Sequence, residues 1–440
     1  PVLGTVPAGG YPTDKNNFAP RIGFAYSPAP DSGWLRSLFG NQKTAIRAAW
    51  GVFYDSTLGQ TFLQQGTIQP FSVTQTLSAN QIAAAGGTFA NPFGSLPNPF
   101  PIDLSNRAFT GFPQLQPFDP SFRTAYTYQY NFTVQRELPG ALLLELAYVG
   151  SNSFKQSTER QLNPALLTDT ATADDVQDRR IFPLLGSIPS QESTGRARYD
   201  AAQFTLSRRL RNGLSIRASY VFQKALDTAS STFFDLTPGP TGWARSDFDR
   251  THNFVTYFTY DLPNTKRNGV VGRLMNGWQI GGLTQIRSGL PLAIFQQPDP
   301  TFSGNDFFPG GAPDFVGPYV RFDPRTLQTI TVNGVPATGH FFFDPNAFRV
   351  VPADDPTLAR QGNLARNVFD GPGFNQWDLS IVKRVSLFES QSIEIRTDIR
   401  NLFNHALFDN PNTVVDDPGF GIISSSGLGR NVQFAFRYTF

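Results

Sequence analysis

Apolar and polar residues alternate with a period of two in eleven separate stretches, as in strands with one apolar and one polar face. Residues 431–440, at the end of the chain, show it over five large apolar groups. Val432, Phe434, Phe436, Tyr438 and Phe440 share one face, and Gln433, Ala435, Arg437 and Thr439 the other. The stretches carried by Ile22, Phe24 and Tyr26, by Ile46, Trp50, Val52 and Tyr54, by Tyr126, Tyr128, Tyr130, Phe132 and Val134, and by Leu142, Leu144, Leu146 and Tyr148 predict the first four strands. Ala202, Phe204 and Leu206 predict the fifth, and Leu214, Ile216, Ala218, Tyr220 and Phe222 the sixth. Phe254, Phe258 and Tyr260 mark a seventh, whose alternation Val255 and Tyr257 blur. Trp278, Ile280, Thr284 and Ile286 predict the eighth, Trp377, Leu379, Ile381 and Val385 the ninth, and Ile393, Ile395, Thr397 and Ile399 the tenth.

The connections alternate in length. Turns at 28–43, 138–140, 211–213, 263–275 and 387–391 are short or moderate, and Asn212-Gly213 is a strong hairpin turn. Stretches 55–123, 151–200, 223–250, 289–373 and 404–429 are long and predicted irregular, with a short strand at Thr329–Val332. Loops of this length count against a compact soluble domain. They match a transmembrane β-barrel with short periplasmic turns and long extracellular loops. The tenth strand sets the register: Glu394, Arg396, Asp398 and Arg400 all fall opposite the isoleucines. A one-residue slip would turn them to lipid, where an Arg at the midplane costs about 2–4 kcal/mol. The expected fold is all-β, an antiparallel transmembrane barrel present as a partial barrel of about eleven strands. For residues 431–440 alone, an edge strand of a soluble sandwich is the alternative.

Composition sharpens this. The 440 residues carry a net charge of +2, so no bulk charge points to nucleic acid. Charged residues make up 16% and aromatics 14%, with 42 Phe. No run of about eighteen apolar residues predicts a transmembrane helix. Cysteine is absent, which removes disulfides and thiolate chemistry. The chain begins at Pro1 without a signal-peptide pattern. The expectation is that the N-terminal part of the protein lies outside this sequence.

Asn17 to Tyr26 (NFAPRIGFAY), Ser246 to His252 (SDFDRTH), Gly277 to Ile280 (GWQI), Gly371 to Asp378 (GPGFNQWD) and Asn401 to His405 (NLFNH) together resemble the barrel of Oar-like TonB-dependent transporters. The resemblance covers nearly the whole chain. It implies a bacterial outer-membrane protein with an N-terminal regulatory-like sandwich, a plug and a 22-stranded barrel, of which residues 1–440 are the C-terminal part. Energised uptake of an unidentified substrate is the function it implies. A passive porin-like channel and a surface barrel for adhesion or protein secretion stand beside it. Implied partners are outer-membrane lipid, the barrel-assembly machinery, an extracellular ligand, and the plug and TonB through the missing N-terminal region. Val432, Phe434, Phe436, Tyr438 and Phe440 are then expected to be the assembly signal.

No phosphate loop, HExxH or GxSxG occurs, and no enzyme activity or cofactor is expected. Asp249 with His252 imitates half a catalytic pair but has no nucleophile motif. Asp354-Asp355 and Asp416-Asp417 lack calcium-loop spacing. The sequon at Asn131 falls inside a strand. Arg287, Asp378, Arg384, Glu394, Arg396, Asp398 and Arg400 are expected on the lumen face, either contacting a plug or substrate or pairing along the wall. Phe307-Phe308 and Phe341-Phe342-Phe343 grip a ligand or pack the loops together.

Overall fold

The computed structural model describes residues 14–55, 79–96, 112, 114–228, 230, 243–267, 269–304, 311–388 and 391–440. Its frame is an antiparallel sheet in which eleven strands follow one another in chain order. They are β1 (Arg21–Tyr26), β2 (Thr44–Tyr54), β3 (Tyr126–Leu138), β4 (Leu142–Gln161), β5 (Pro189–Arg211), β6 (Leu214–Asp227), β7 (His252–Asp261), β8 (Trp278–Arg287), β9 (Phe374–Phe388), β10 (Gln391–Arg400) and β11 (Asn431–Thr439). Ala244–Arg245 adds a two-residue strand to β6. Among the described residues, β1 and β11 each have one neighbour, so the wall is an open sheet.

The ladder fixes which side chains share a face. Ile395 lies opposite Phe436, and Thr397 opposite Phe434. On the other face Arg384 lies opposite Glu394, and Glu394 opposite Arg437. Phe434 and Phe436 are 75% and 68% exposed, so the apolar face has no protein against it. In β7, Val255 and Tyr257 pair with Gln285 and Leu283 of β8 on the polar face, which explains the blurred alternation. Asn212 and Gly213 take φ of 50° and 78°, the left-handed pair that a tight hairpin needs. Short helices occupy the connections at Gly33–Phe39, Ala79–Ala84 and Gly269–Met275. Among the described residues no helix is long and apolar enough to cross a membrane.

One expectation is corrected. Stretch 151–200 is mostly strand: β4 runs on to Gln161 and β5 begins at Pro189, leaving a connection of 162–188. Its outer rungs are held by buried polar groups, Thr158, Glu159, Ser190 and Gln191 among them, so the alternation is lost while the ladder continues.

Among its described residues, stretch 289–373 holds, as expected, little regular structure beyond short strands and turns, and it folds with 404–429 into a cap. Leu292, Ile294, Phe342, Phe343, Phe348, Leu364, Phe420 and Ile423 form its core. Phe343 is fully buried, with Phe420, Phe348 and Tyr319 rings 5.1–5.6 Å away. The strand expected at Thr329–Val332 is half of a hairpin, Gln328–Val332 with Val335–Gly339, turning on Asn333-Gly334. Backbone bonds between Phe295 and the Thr413 and Val415 peptides, and from Phe342 N–H to Gly421, zip the two segments together. The residues 1–13, most of 55–123, Phe307, Phe308 and Gly310, and 389–390 of the turn after β9 lie outside the described residues.

Candidate functional site

The polar face of β7–β11 lines a trough of about 480 Å³. Tyr257 and Thr259 of β7, Gln279 of β8, Asp378, Ser380 and Arg384 of β9, Glu394, Arg396, Asp398 and Arg400 of β10, and Gln433 of β11 contribute to it. The strands hold these side chains because one sequence period puts every second residue inward. Arg384 Nε donates to Glu394 at 2.7 Å across neighbouring strands, and Arg396 pairs with Asp398 at 2.8 Å along one strand. Asp378 accepts from Gln376 Nε2 at 2.9 Å and from the Asn401 backbone N–H at 2.9 Å, so it ties the top of β9 to the end of β10. Six of the seven predicted lumen charges therefore meet in one trough. The seventh, Arg287, stands apart: its guanidinium lies over the Phe374 ring at 4.4 Å. A second trough of about 560 Å³ on the β1–β5 side has a different chemistry, with Gly23, Ala49, Gly51, Gln129, Asn131 and Ser151.

The Asp249–His252 pair is not assembled. Asp249 accepts from the Ala225 N–H and from Arg245, while His252 Nδ1 shares a hydrogen bond with Tyr220 Oη. Asp355 and Asp417 accept turn N–H groups, and Asp416 accepts from Gln297 N–H. Among the described residues no three His, Asp or Glu side chains gather as a metal site. Phe341 and Phe343 are buried and Phe342 is nearly so, so this run packs the cap.

Two arrangements escaped the sequence. The first is a latch between cap and wall. Arg366 pairs with Asp227 and donates to Ser230 Oγ at 2.8 Å. Beside it Arg245 bridges Asp249 at 3.0 Å and Asp370 at 2.7 Å. Asn367 Nδ2 reaches the Arg245 carbonyl at 2.7 Å and Asp247 at 2.6 Å. The SDFDRTH run is thus a joint, which its density of short polar residues could have suggested. The second is Lys383, a cation at an apolar-face position of β9. Its Nζ donates to the Arg273, Leu274 and Asn276 carbonyls, where the Gly269–Met275 helix ends, and lies 5.1 Å from the Trp278 ring. A Lys breaking an apolar register next to a turn is the signal that could have revealed it.

The family model for the outer membrane beta barrel domain matches residues 1–433. The chain belongs to that family. This outer-membrane barrel chain lies in the bacterial outer membrane, with its apolar face to lipid. No curated protein matches it in sequence. Among solved structures it is similar to the ferripyoverdine receptor of the outer membrane of Pseudomonas aeruginosa, with 11% identity over 96% of this chain and a TM-score of 0.41. It is also similar to the outer membrane transporter YddB from Escherichia coli, with 9% identity over 92% and a TM-score of 0.45. The siderophore receptor PiuA from Acinetobacter baumannii gives 9% over 96% and 0.40. The outer-membrane barrel chain spans 33%, 39% and 35% of those three chains respectively.

Proposed function

We propose that residues 1–440 form the C-terminal part of a TonB-dependent transporter barrel that takes up a substrate across the outer membrane. The observation that carries this reading is the wall's pair of open edges. Backbone groups of β1 and β11 facing lipid without partners would each cost several kcal/mol, of order 2–7, so further strands of the same protein close the barrel. Five long connections then lie outside the cell, and the turns at Gly140 and Asn212 in the periplasm. The trough of Arg384, Glu394, Arg396 and Asp398 faces the lumen, where it meets a plug or passing substrate. Val432, Phe434, Phe436, Tyr438 and Phe440 serve as the assembly signal.

Recording from the whole protein in a planar bilayer tests this. A plugged transporter shows no steady conductance until its plug is removed, and it binds the TonB C-terminal domain in a pull-down. Steady conductance from the intact protein, without TonB binding, would make it a passive channel. Cysteine labelling on intact cells tests direction: Asn333→Cys is expected to react and Asn212→Cys not to.

A further inference from the structure

Two of the short connections carry helices, and both helices are held on the outward surface of the wall. Gly269–Met275 lies between β7 and β8, and Gly33–Phe39 between β1 and β2. The first is held by Lys383 of β9, which shares the outward face with Trp278 and Ile395. Lys383 is 8% exposed, and its Nζ donates to the Arg273, Leu274 and Asn276 carbonyls. Trp278 Nε1 donates to the Leu274 carbonyl at 2.9 Å. The second helix repeats the arrangement. Arg136 of β3 lies opposite Thr44 and Leu144 on the outward face. Its Nη1 donates to Thr44 Oγ1 at 2.7 Å, and that hydroxyl donates to the Phe39 carbonyl at 2.7 Å. Its Nη2 reaches the Ser37 carbonyl at 3.4 Å. In both cases a cation on the strand after the hairpin holds the C-terminal end of the hairpin's helix.

What the helices leave open is apolar. Val270 and Leu274 are 74% and 66% exposed, and Trp34 and Leu38 are 73% and 56% exposed. Val271, Met275 and Leu35 are exposed beside them. Water satisfies an exposed charge, but an apolar cluster in water marks a surface that something else covers. The strands that close the barrel pair with β1 and β11, whereas β7 and β8 already have both neighbours. A plug lies on the opposite face of the wall. Lys266, Arg267 and Arg273 surround the Gly269–Met275 helix, and residues 262–277 include no acidic residue.

We infer that the Gly33–Phe39 and Gly269–Met275 helices lie in the membrane plane, with their apolar side chains sunk into the phospholipid leaflet at the turn end of the wall. Continuity with the lipid-facing wall through Trp278 selects this occupant, and so does the positive charge placed to meet lipid phosphates. The cations that pin the helix ends keep each helix outside the wall rather than beneath it. That the leaflet is the periplasmic one rests on the proposed orientation of the barrel. Lipid contact itself does not depend on insertion direction, so the test below and surface labelling at Asn333 and Asn212 fail separately.

The test attaches a nitrobenzoxadiazole dye at Leu274→Cys, at Trp34→Cys or, as a control on the same edge of the wall, at Asn212→Cys. Residues 1–440 hold no cysteine, and the parent protein labelled in parallel gives the background of the full chain. Each full-length variant is purified from outer membranes, with assembly scored by mobility on unheated gels. It is then reconstituted, without other proteins, in vesicles of phosphatidylethanolamine and phosphatidylglycerol whose acyl chains are brominated or plain. Dyes at Leu274→Cys and Trp34→Cys are expected to lose about half their emission to the bromines, as a face buried about 5–10 Å would. The dye at Asn212→Cys should keep its emission. Where one of the first two variants does not assemble, Val270→Cys or Leu38→Cys, both at exposed positions, replaces it. Losses no greater than at Asn212→Cys would overturn the inference, and loss at one helix alone would overturn it for the other.

Discussion

Phe434 in the wall and Phe343 in the cap are the same residue in opposite surroundings. Phe434 is 75% exposed and Phe343 is 0% exposed. The wall's apolar face is completed by lipid, a solvent outside the protein. The cap's is completed by Phe348, Phe420 and Tyr319, inside it. The cap is therefore a small globular unit with its own core, and the wall is half of an interface. Damage to one should leave the other standing, apart from the latch at Arg366 and Asp227 that joins them.

The largest effect is expected from Phe343→Ala. Deleting a buried ring costs about 3–5 kcal/mol, and all of that loss falls on the cap. Protease added to intact cells should cut within 311–370 at far lower concentration, while mobility on unheated gels stays that of the parent. Loss of assembly together with the cap would break the separation.

Phe434→Arg makes the reverse case. A guanidinium on the lipid face costs about 2–4 kcal/mol near the midplane. Outer-membrane yield should fall, with the molecules that do assemble keeping a protease-resistant cap. Ala435→Arg, one residue on and inward-facing, should assemble normally. Equal loss from both would mean that β11 does not present its faces as the ladder shows.

How far each region could be read from sequence follows from the same contrast. The wall was legible because its two faces meet different surroundings, which imposes a period of two that is plainest in β10, where isoleucines alternate with Glu394, Arg396 and Asp398. The far ends of β4 and β5 were not, because buried Glu159 and Gln191 there follow no period of two. The cap was illegible for a related reason. Its core gathers Leu292, Phe348 and Phe420 from distant irregular segments, so no local spacing announces it. In the trough, alternation located the charges, while their pairing depends on register between strands. Lys383 broke the rule because carbonyls at the end of a short helix replace water for it.

A smaller effect probes the trough. Arg384 and Glu394 are 55% and 31% exposed, so a coupling below about 1 kcal/mol is expected between Arg384→Met and Glu394→Gln. A double-mutant cycle on urea unfolding from liposomes measures it. A coupling several times larger would mean that another part of the protein, such as a plug, keeps water from this pair.

The smallest effect lies in the cap and depends on pH. The Arg360 guanidinium hydrogen-bonds both Asp314 oxygens, at 2.8 and 2.5 Å, and holds the Asp314 carboxyl below its ordinary value. A depressed folded-state pKa stabilises the cap above the unfolded value, about 3.9. That contribution is lost as pH falls through the folded value. Acidification below roughly pH 4 should therefore loosen the cap. Asp314→Asn should flatten the part of the cap's acid sensitivity that this pair supplies, read as protease susceptibility with an acid-active protease. An unchanged profile in Asp314→Asn would show that the pair leaves the cap's acid response where it was, and that other carboxylates set it.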